Sequence, residues 1–185
     1  SLNREDYLTN PEKAANNWAA SKGYEDDNTT LAGITAESRI HRKLINISSV
    51  FTTYNDHYEP RPFNILDETT TGAGFRSLFQ YFHNDQIQIH TGIEYLQDRY
   101  TWSTYENLYE QNNGRGSLQG TLLSDNRENR RFMNAFTEVR MTFHKLSVQT
   151  GINYNNTLFQ YRNLETEANE IERDFPGVWS PNLSL

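Results

Sequence analysis

The chain has no cysteine, which excludes disulfide frameworks, thiolate zinc sites and cysteine nucleophiles without assigning a compartment. It has no run near the roughly 18–20 consecutive apolar residues that a membrane helix needs, so helical spanning is excluded. Apolar residues are scarce overall: 35% of the chain is hydrophobic, against about 45–50% in an ordinary globular domain. Basic residues are in deficit, 17 against 24 acidic, for a net charge of −7. That balance argues against a nucleic-acid binder, which would cluster Lys and Arg against phosphates. The one local exception, Arg127 to Arg131, is short and sits beside Asp125 and Glu128. What is abundant is aromatic: 3 Trp, 11 Tyr and 10 Phe among 185 residues. With 13% aromatic and 22% charged residues, the composition is not that of a disordered chain. A mean hydropathy of −0.84 would file it as a soluble, acidic, tyrosine-rich β protein.

Residues 1–30 differ from the rest. Asn10-Pro11-Glu12-Lys13 reads as an N-cap, a proline at the first helical position and an acidic first turn, with Gly23 as a stop. One short helix over about 11–21 is expected there. The segment 31–185 has a period of two. Residues 87–95 (Ile-Gln-Ile-His-Thr-Gly-Ile-Glu-Tyr) and 146–154 (Leu-Ser-Val-Gln-Thr-Gly-Ile-Asn-Tyr) repeat one pattern, and 45–53 keeps its first half. Alternation predicts strands at 32–40, 45–53, 75–81, 87–95, 133–143 and 146–154, each with one apolar face. On that face stand Ile34 and Ala36, then Ile45, Ile47 and Phe51. Phe75 and Phe79, Ile87 and Ile89, Val139 and Met141, and Val148 and Ile152 continue it. Tight connections at 41–44, 82–86 and 144–145 make three hairpins, near 31–58, 73–105 and 131–163. The connections between hairpins are expected to be long and polar.

Short turns alternating with long loops are the asymmetry of an outer-membrane barrel. The six strand charges, Glu37, Arg39, Arg76, Glu94, Glu138 and Arg140, fall on the face opposite the apolar one, as lumen-facing charges would. A sandwich core would also show one uncharged face, so that pattern alone does not separate a barrel from a soluble sheet. Strand length adds to it: nine residues closing on Tyr95 or Tyr154 approach the roughly 9–11 of a tilted membrane strand with aromatic girdles.

Several stretches carry a family resemblance. Gly92-Ile93-Glu94-Tyr95, the aromatic run Tyr100 to Tyr105 and the polar loop Asn112 to Gly116 are followed by Asn134 to Glu138. Leu146 to Tyr154 and Phe175 to Leu185 complete the set. Together they resemble the barrel region of TonB-dependent outer-membrane receptors, especially of the Bacteroidetes type. The resemblance implies an all-β antiparallel up-and-down meander of about six strands and the opening of a seventh, part of a transmembrane barrel. Residues 1–30 would be an extracellular loop segment carrying the helix. It also implies location in the cell outer membrane and import of a bulky nutrient, foremost an iron–siderophore complex, with glycan import as the rival ligand class. The partners so implied are outer-membrane lipid, the remainder of the barrel, a plug domain and, through that plug, TonB. Both ends, Ser1-Leu2-Asn3 and Ser184-Leu185, read as cuts within a larger chain.

Other chemistry is thinly represented. His41, His83 and His144 recur at turns but on different hairpins, and His57 and His90 lack partners at ligand spacing, so no metal site is expected. There is no phosphate loop, nucleotide fingerprint or defensible Ser/His/Asp set, so neither an enzyme nor a cofactor is expected. Tyr100, Trp102 and Tyr105 are the candidate ligand-binding aromatics, able to stack on a sugar or an aromatic chelator. The rival function is a soluble β-sheet protein binding glycans through these rings; a weaker one is a lipocalin-like barrel around a small ligand.

Overall fold

A computed structural model describes residues 4–165 and 170–185. Two helical turns, α1 (Arg4–Thr9) and α2 (Asn16–Ser21), precede seven strands. These are β1 (Asp26–His41), β2 (Leu44–Arg61), β3 (Asn64–Phe82), β4 (Ile87–Asn107), β5 (Gln119–Phe143), β6 (Leu146–Asn163) and β7 (Glu170–Ser184), with a 3-10 turn at Tyr109–Gln111. The strands form one antiparallel sheet in chain order, each paired to the next, and the sheet does not close: β1 and β7 are its edges. The all-β meander expected from the period-two pattern is the observed fold.

Three expectations are corrected. The helix expected over 11–21 occupies only Asn16–Ser21. Asn10 to Lys13 closes instead as a turn, the Lys13 amide donating to the Asn10 carbonyl at 3.0 Å. Helices of 6 residues are unstable alone. α2 is held by its surroundings, with the Ser117 hydroxyl donating to the Ser21 carbonyl at 2.7 Å. It ends at Lys22 in the left-handed conformation, and a Cβ on the following Gly23 would meet the Trp18 ring and the Pro60 carbonyl at 2.7 Å.

The second correction concerns the long polar connections expected between 51 and 75 and between 95 and 133. Most of their length is strand. β2 continues to Arg61, turns through 62–63 and returns as β3, and β4 runs on to Asn107 before an 108–118 loop. Thr52-Thr53-Tyr54, Thr69-Thr70-Thr71 and Tyr100 to Tyr105 are β-branched and aromatic, and these hold a ladder even where neither face is apolar. Seven full strands result, where six and the start of a seventh were expected.

The third correction is one of register. Residues directly opposite in an antiparallel pair share a face. Ile34 pairs with Val50, while Ile47 pairs with Glu37 and Ile45 with Arg39. Ile45, Ile47 and Phe51 therefore lie on the charged face, and the apolar face of β2 is built from Leu44, Val50 and their even-numbered neighbours. Phe51 has a packing reason to sit there. Its ring covers Gly74, where a Cβ would come within 2.6 Å of the ring and 2.7 Å of the Tyr95 carbonyl.

With that correction the apolar face reads in rows across the sheet. One row is Ile34, Val50, Phe75, Tyr95 and Met133; lower ones hold Ile93 and Ala135, then Tyr81, Ile89 and Val139. No charged residue stands on this face in 44–54, 71–81, 87–97, 133–143 or 146–156. About 11 residues at about 3.3 Å each give about 36 Å of strand. At the 35–45° tilt of a membrane barrel that becomes about 25–30 Å, the height of an apolar band. Phe143, Leu146 and Tyr81 stand at its turn end, and Tyr54, Tyr95, Tyr154 and Trp179 toward the other.

None of the described residues covers this belt. Ile34 is 74% exposed and Val50 60%. The buried apolar core among the described residues is Ile65 and Leu66, at the far end of the sheet. The accessible surface is 12814 Å², against about 9,200 Å² expected for a compact soluble monomer of this mass.

Candidate functional site

The face opposite the belt carries polar chemistry at two depths. Near the tight turns, Glu37, Arg39, Arg76, Glu94, Glu138 and Arg140 all stand on it, as the register requires. Arg76 donates to Glu94 at 2.8 Å, and its guanidinium lies 5.5 Å from the centroid of the Phe51 ring. Gln149 donates to Glu138 at 2.6 Å and accepts from Arg140 at 3.2 Å. His90 stands 3.9 Å from Glu138. Glu138 and Arg140 are thus joined through Gln149. Phe136 covers Gly92, where a Cβ would meet its ring at 2.6 Å. Asn134 and Asn153 each leave a buried side-chain oxygen without a hydrogen-bond partner among the described residues.

Farther from the turns, one row of the same face runs Asp27, His57, Glu68, Trp102 and Asn126. The row below it carries Tyr100 and Glu128, and Tyr161 lies opposite Glu128 on β6. Tyr100 and Trp102, two residues apart, stack at 4.7 Å and 18°, and Tyr161 leans on Trp102 at 5.8 Å. Arg130 lies 5.3 Å from the Tyr100 ring while bonding Asp98 at 2.6 Å. The Tyr100 hydroxyl donates to Glu68. Burial first, and then this carboxylate, push the phenol well above its ordinary range. Asn126, 4% exposed, accepts from the Tyr161 hydroxyl at 2.6 Å.

Two candidates change place. Tyr105 pairs with Ile65 and sits beyond a register shift, on the opposite face from Tyr100 and Trp102. It does not belong to their platform; Tyr161, 56 positions beyond Tyr105 in sequence, takes that position. No spacing rule within one strand could have found it. His57 also acquires partners from other strands: Asp27 at 2.8 Å and Glu68 at 4.0 Å. Its pKa is raised, foremost by the Asp27 hydrogen bond, against the opposing effect of burial. Of the turn histidines, His41 ends β1, while His83 and His144 lie in the connections, His144 with φ of 54°. No group of three metal-ligating side chains occurs among the described residues.

No protein-family model and no curated protein matches the chain. Among solved structures it is similar to BauA, the ferric preacinetobactin receptor from Acinetobacter baumannii. The identity is 10% and the TM-score 0.54, over 87% of this chain. The chain spans 28% of the length of that receptor. At this identity the likeness is one of fold.

Proposed function

We propose that the chain forms part of the wall of a transmembrane β-barrel, in an outer-membrane receptor of the TonB-dependent type that imports a bulky nutrient. The uncharged belt carries this reading: its register is continuous from β2 to β6, it is covered by none of the described residues, and its height suits a bilayer. The opposite face then lines the interior, with the charged rows near the turns meeting a plug and the aromatic row nearer the entrance. The likeness to a ferric siderophore receptor supports an iron–siderophore complex as the cargo. The role is passage and recognition, without catalysis.

The stacked Tyr100–Trp102 pair favours a second reading of the ligand alone. Flat ring faces beside Glu68 and Asn126 suit a sugar, and on that reading the chain binds glycans.

Tryptophan placement tests the wall directly. Trp179 stands on the belt and Trp102 on the opposite face. In vesicles of brominated phosphatidylcholine, the W18F/W102F variant, which keeps Trp179, is quenched, and W18F/W179F, which keeps Trp102, is not. Equal quenching of the two, or a detergent-free soluble monomer, overturns the barrel assignment.

A further inference from the structure

Immediately beyond the belt on its own face, the first charges on β4 and β5 are positive, with Asp125 following one row beyond Arg127. Arg131, Arg99 and Arg127 occupy three successive rows: Arg131 opposite Gln97, Arg99 opposite Asn129, and Arg127 opposite Thr101. Arg162 faces Arg127 from β6. Diagonal neighbours on one sheet face stand about 7–8 Å apart, so the three arginines share one patch. Arg99 and Arg131 are exposed. Arg127 is half-buried, and its Nε is enclosed with no hydrogen-bond partner among the described residues.

Two arginines of the opposite face make a contrast: Arg76 and Arg130 each end on a carboxylate, at 2.8 and 2.6 Å, while Arg140 reaches the Gln149 amide oxygen at 3.2 Å. Arg99, Arg127 and Arg131 make no ion pair among the described residues; Arg99 reaches only the Asn129 amide oxygen, at 3.4 Å. Beside them a groove of about 480 Å³ opens where Ala73 leaves the sheet surface low; Asp98 also lines it, its carboxylate held by Arg130 at 2.6 Å. Tyr95, Gln97, Arg99 and Asn129 wall it, and Tyr95 also belongs to the belt. The groove therefore runs from apolar surface to Arg99, which makes no ion pair among the described residues. A molecule matching both ends has hydrocarbon below and an anionic head above.

We propose that Arg99, Arg127 and Arg131 bind the phosphate of an anionic membrane lipid whose acyl chains lie along the belt beneath Tyr95. Guanidinium forks match phosphate oxygens in pairs, and the attraction is strongest where headgroups replace water next to hydrocarbon. The occupant is a lipid and not free phosphate, because the patch is continuous with the belt. The inference rests on the membrane reading above.

Native mass spectrometry of the full 185-residue chain released from detergent micelles tests it, with phosphatidic acid titrated against phosphatidylcholine. Wild type retains phosphatidic acid with about tenfold preference, from roughly fivefold per near-surface charge with partial screening. R99Q/R127Q/R131Q loses that preference, and R99K/R127K/R131K keeps most of it. Excess inorganic phosphate leaves it in place. No preference in wild type, an unaltered preference in the glutamine variant, or displacement by inorganic phosphate overturns the proposal. Quenching of Trp179 by brominated phosphatidylcholine is the separate readout. If it persists while the preference is absent, the lipid site alone has failed; if it too is absent, the barrel reading has failed with it.

Discussion

The turn-ward and far halves of the sheet are built from the same strands but obey different rules. In the turn-ward half the two faces are segregated: residues 87–97 place Ile87, Ile89, Ile93 and Tyr95 on one side and His90 and Glu94 on the other. In the far half both faces carry charge, with Arg99 and Arg127 on one side and Glu68, Asp98 and Arg130 on the other. Backbone pairing from β1 to β6 is continuous through the boundary, so secondary structure does not explain the change. On the membrane reading proposed above, a change of surroundings along the strand does: hydrocarbon on one face below the boundary, water or headgroups on both above it.

The largest effect is expected where that difference is sharpest. Val139→Arg places a cation in mid-belt opposite Ile89 and should cost about 2–4 kcal/mol in lipid. Thr101→Arg, on the same face in the far half beside Arg127, should cost about 0–1 kcal/mol. Urea unfolding from vesicles, followed by tryptophan emission, compares the two. Equal penalties would erase the distinction between the halves.

A smaller effect is expected from the charged face of the turn-ward half, where bare glycines lie beneath aromatic rings. Gly74→Val drives a side chain against both the Phe51 ring and the Tyr95 carbonyl. Overpacking of this kind costs roughly 1–3 kcal/mol. Adding Phe51→Ala should recover only part, because the ring can be removed and the carbonyl cannot. Full recovery in the same unfolding assay would show that the ladder gives way there.

These contrasts also show what the sequence made legible. Alternation marked the strands wherever a face was apolar, and all six charges of the first candidate set share one face. It failed on β2, where Ile45, Ile47 and Phe51 look like belt residues but pair with Arg39, Glu37 and Gly33. Phe51 is apolar in order to fill a notch left by Gly74, a cross-strand relation that no single strand records. Alternation failed again in the far half, because a strand polar on both faces has no hydrophobic period to detect. Only the Thr and Tyr content of 52–54 and 69–71 marked those residues as strand. The platform of Tyr100, Trp102 and Tyr161 needed the pairing of β5 with β6, and His57 needed β1 and β3 on either side.

Tyr100→Phe sharpens the comparison on the far half's charged face. It removes the hydroxyl that donates to Glu68 and leaves the ring stacked on Trp102. The loss should be about 1–3 kcal/mol if the carboxylate is stranded, and less if water reaches it. Unfolding of the variant beside wild type reads which holds, and an unchanged stability would mean that this row is already wet.

The smallest effect is a matter of pH and falls at the edge of the sheet. His57 accepts charge between Asp27 on β1, Glu59 on its own strand and Glu68 on β3, and its pKa is raised above 6.5 chiefly by the Asp27 hydrogen bond. A histidine whose folded pKa is raised stabilises the fold fully below its unfolded value and loses that contribution as pH climbs through the folded one. The attachment of β1 to β2 should therefore weaken from pH 6.5 upward, through the raised pKa of His57. The His57 ring resonances followed by NMR should titrate above 6.5, and Asp27→Asn should lower that midpoint. Amide exchange in β1 should quicken across the same interval, and by more than exchange in the β3–β4 belt. Were both regions to respond alike, the pH effect would belong to the whole sheet, and the far half would not be the separately responsive part of the molecule.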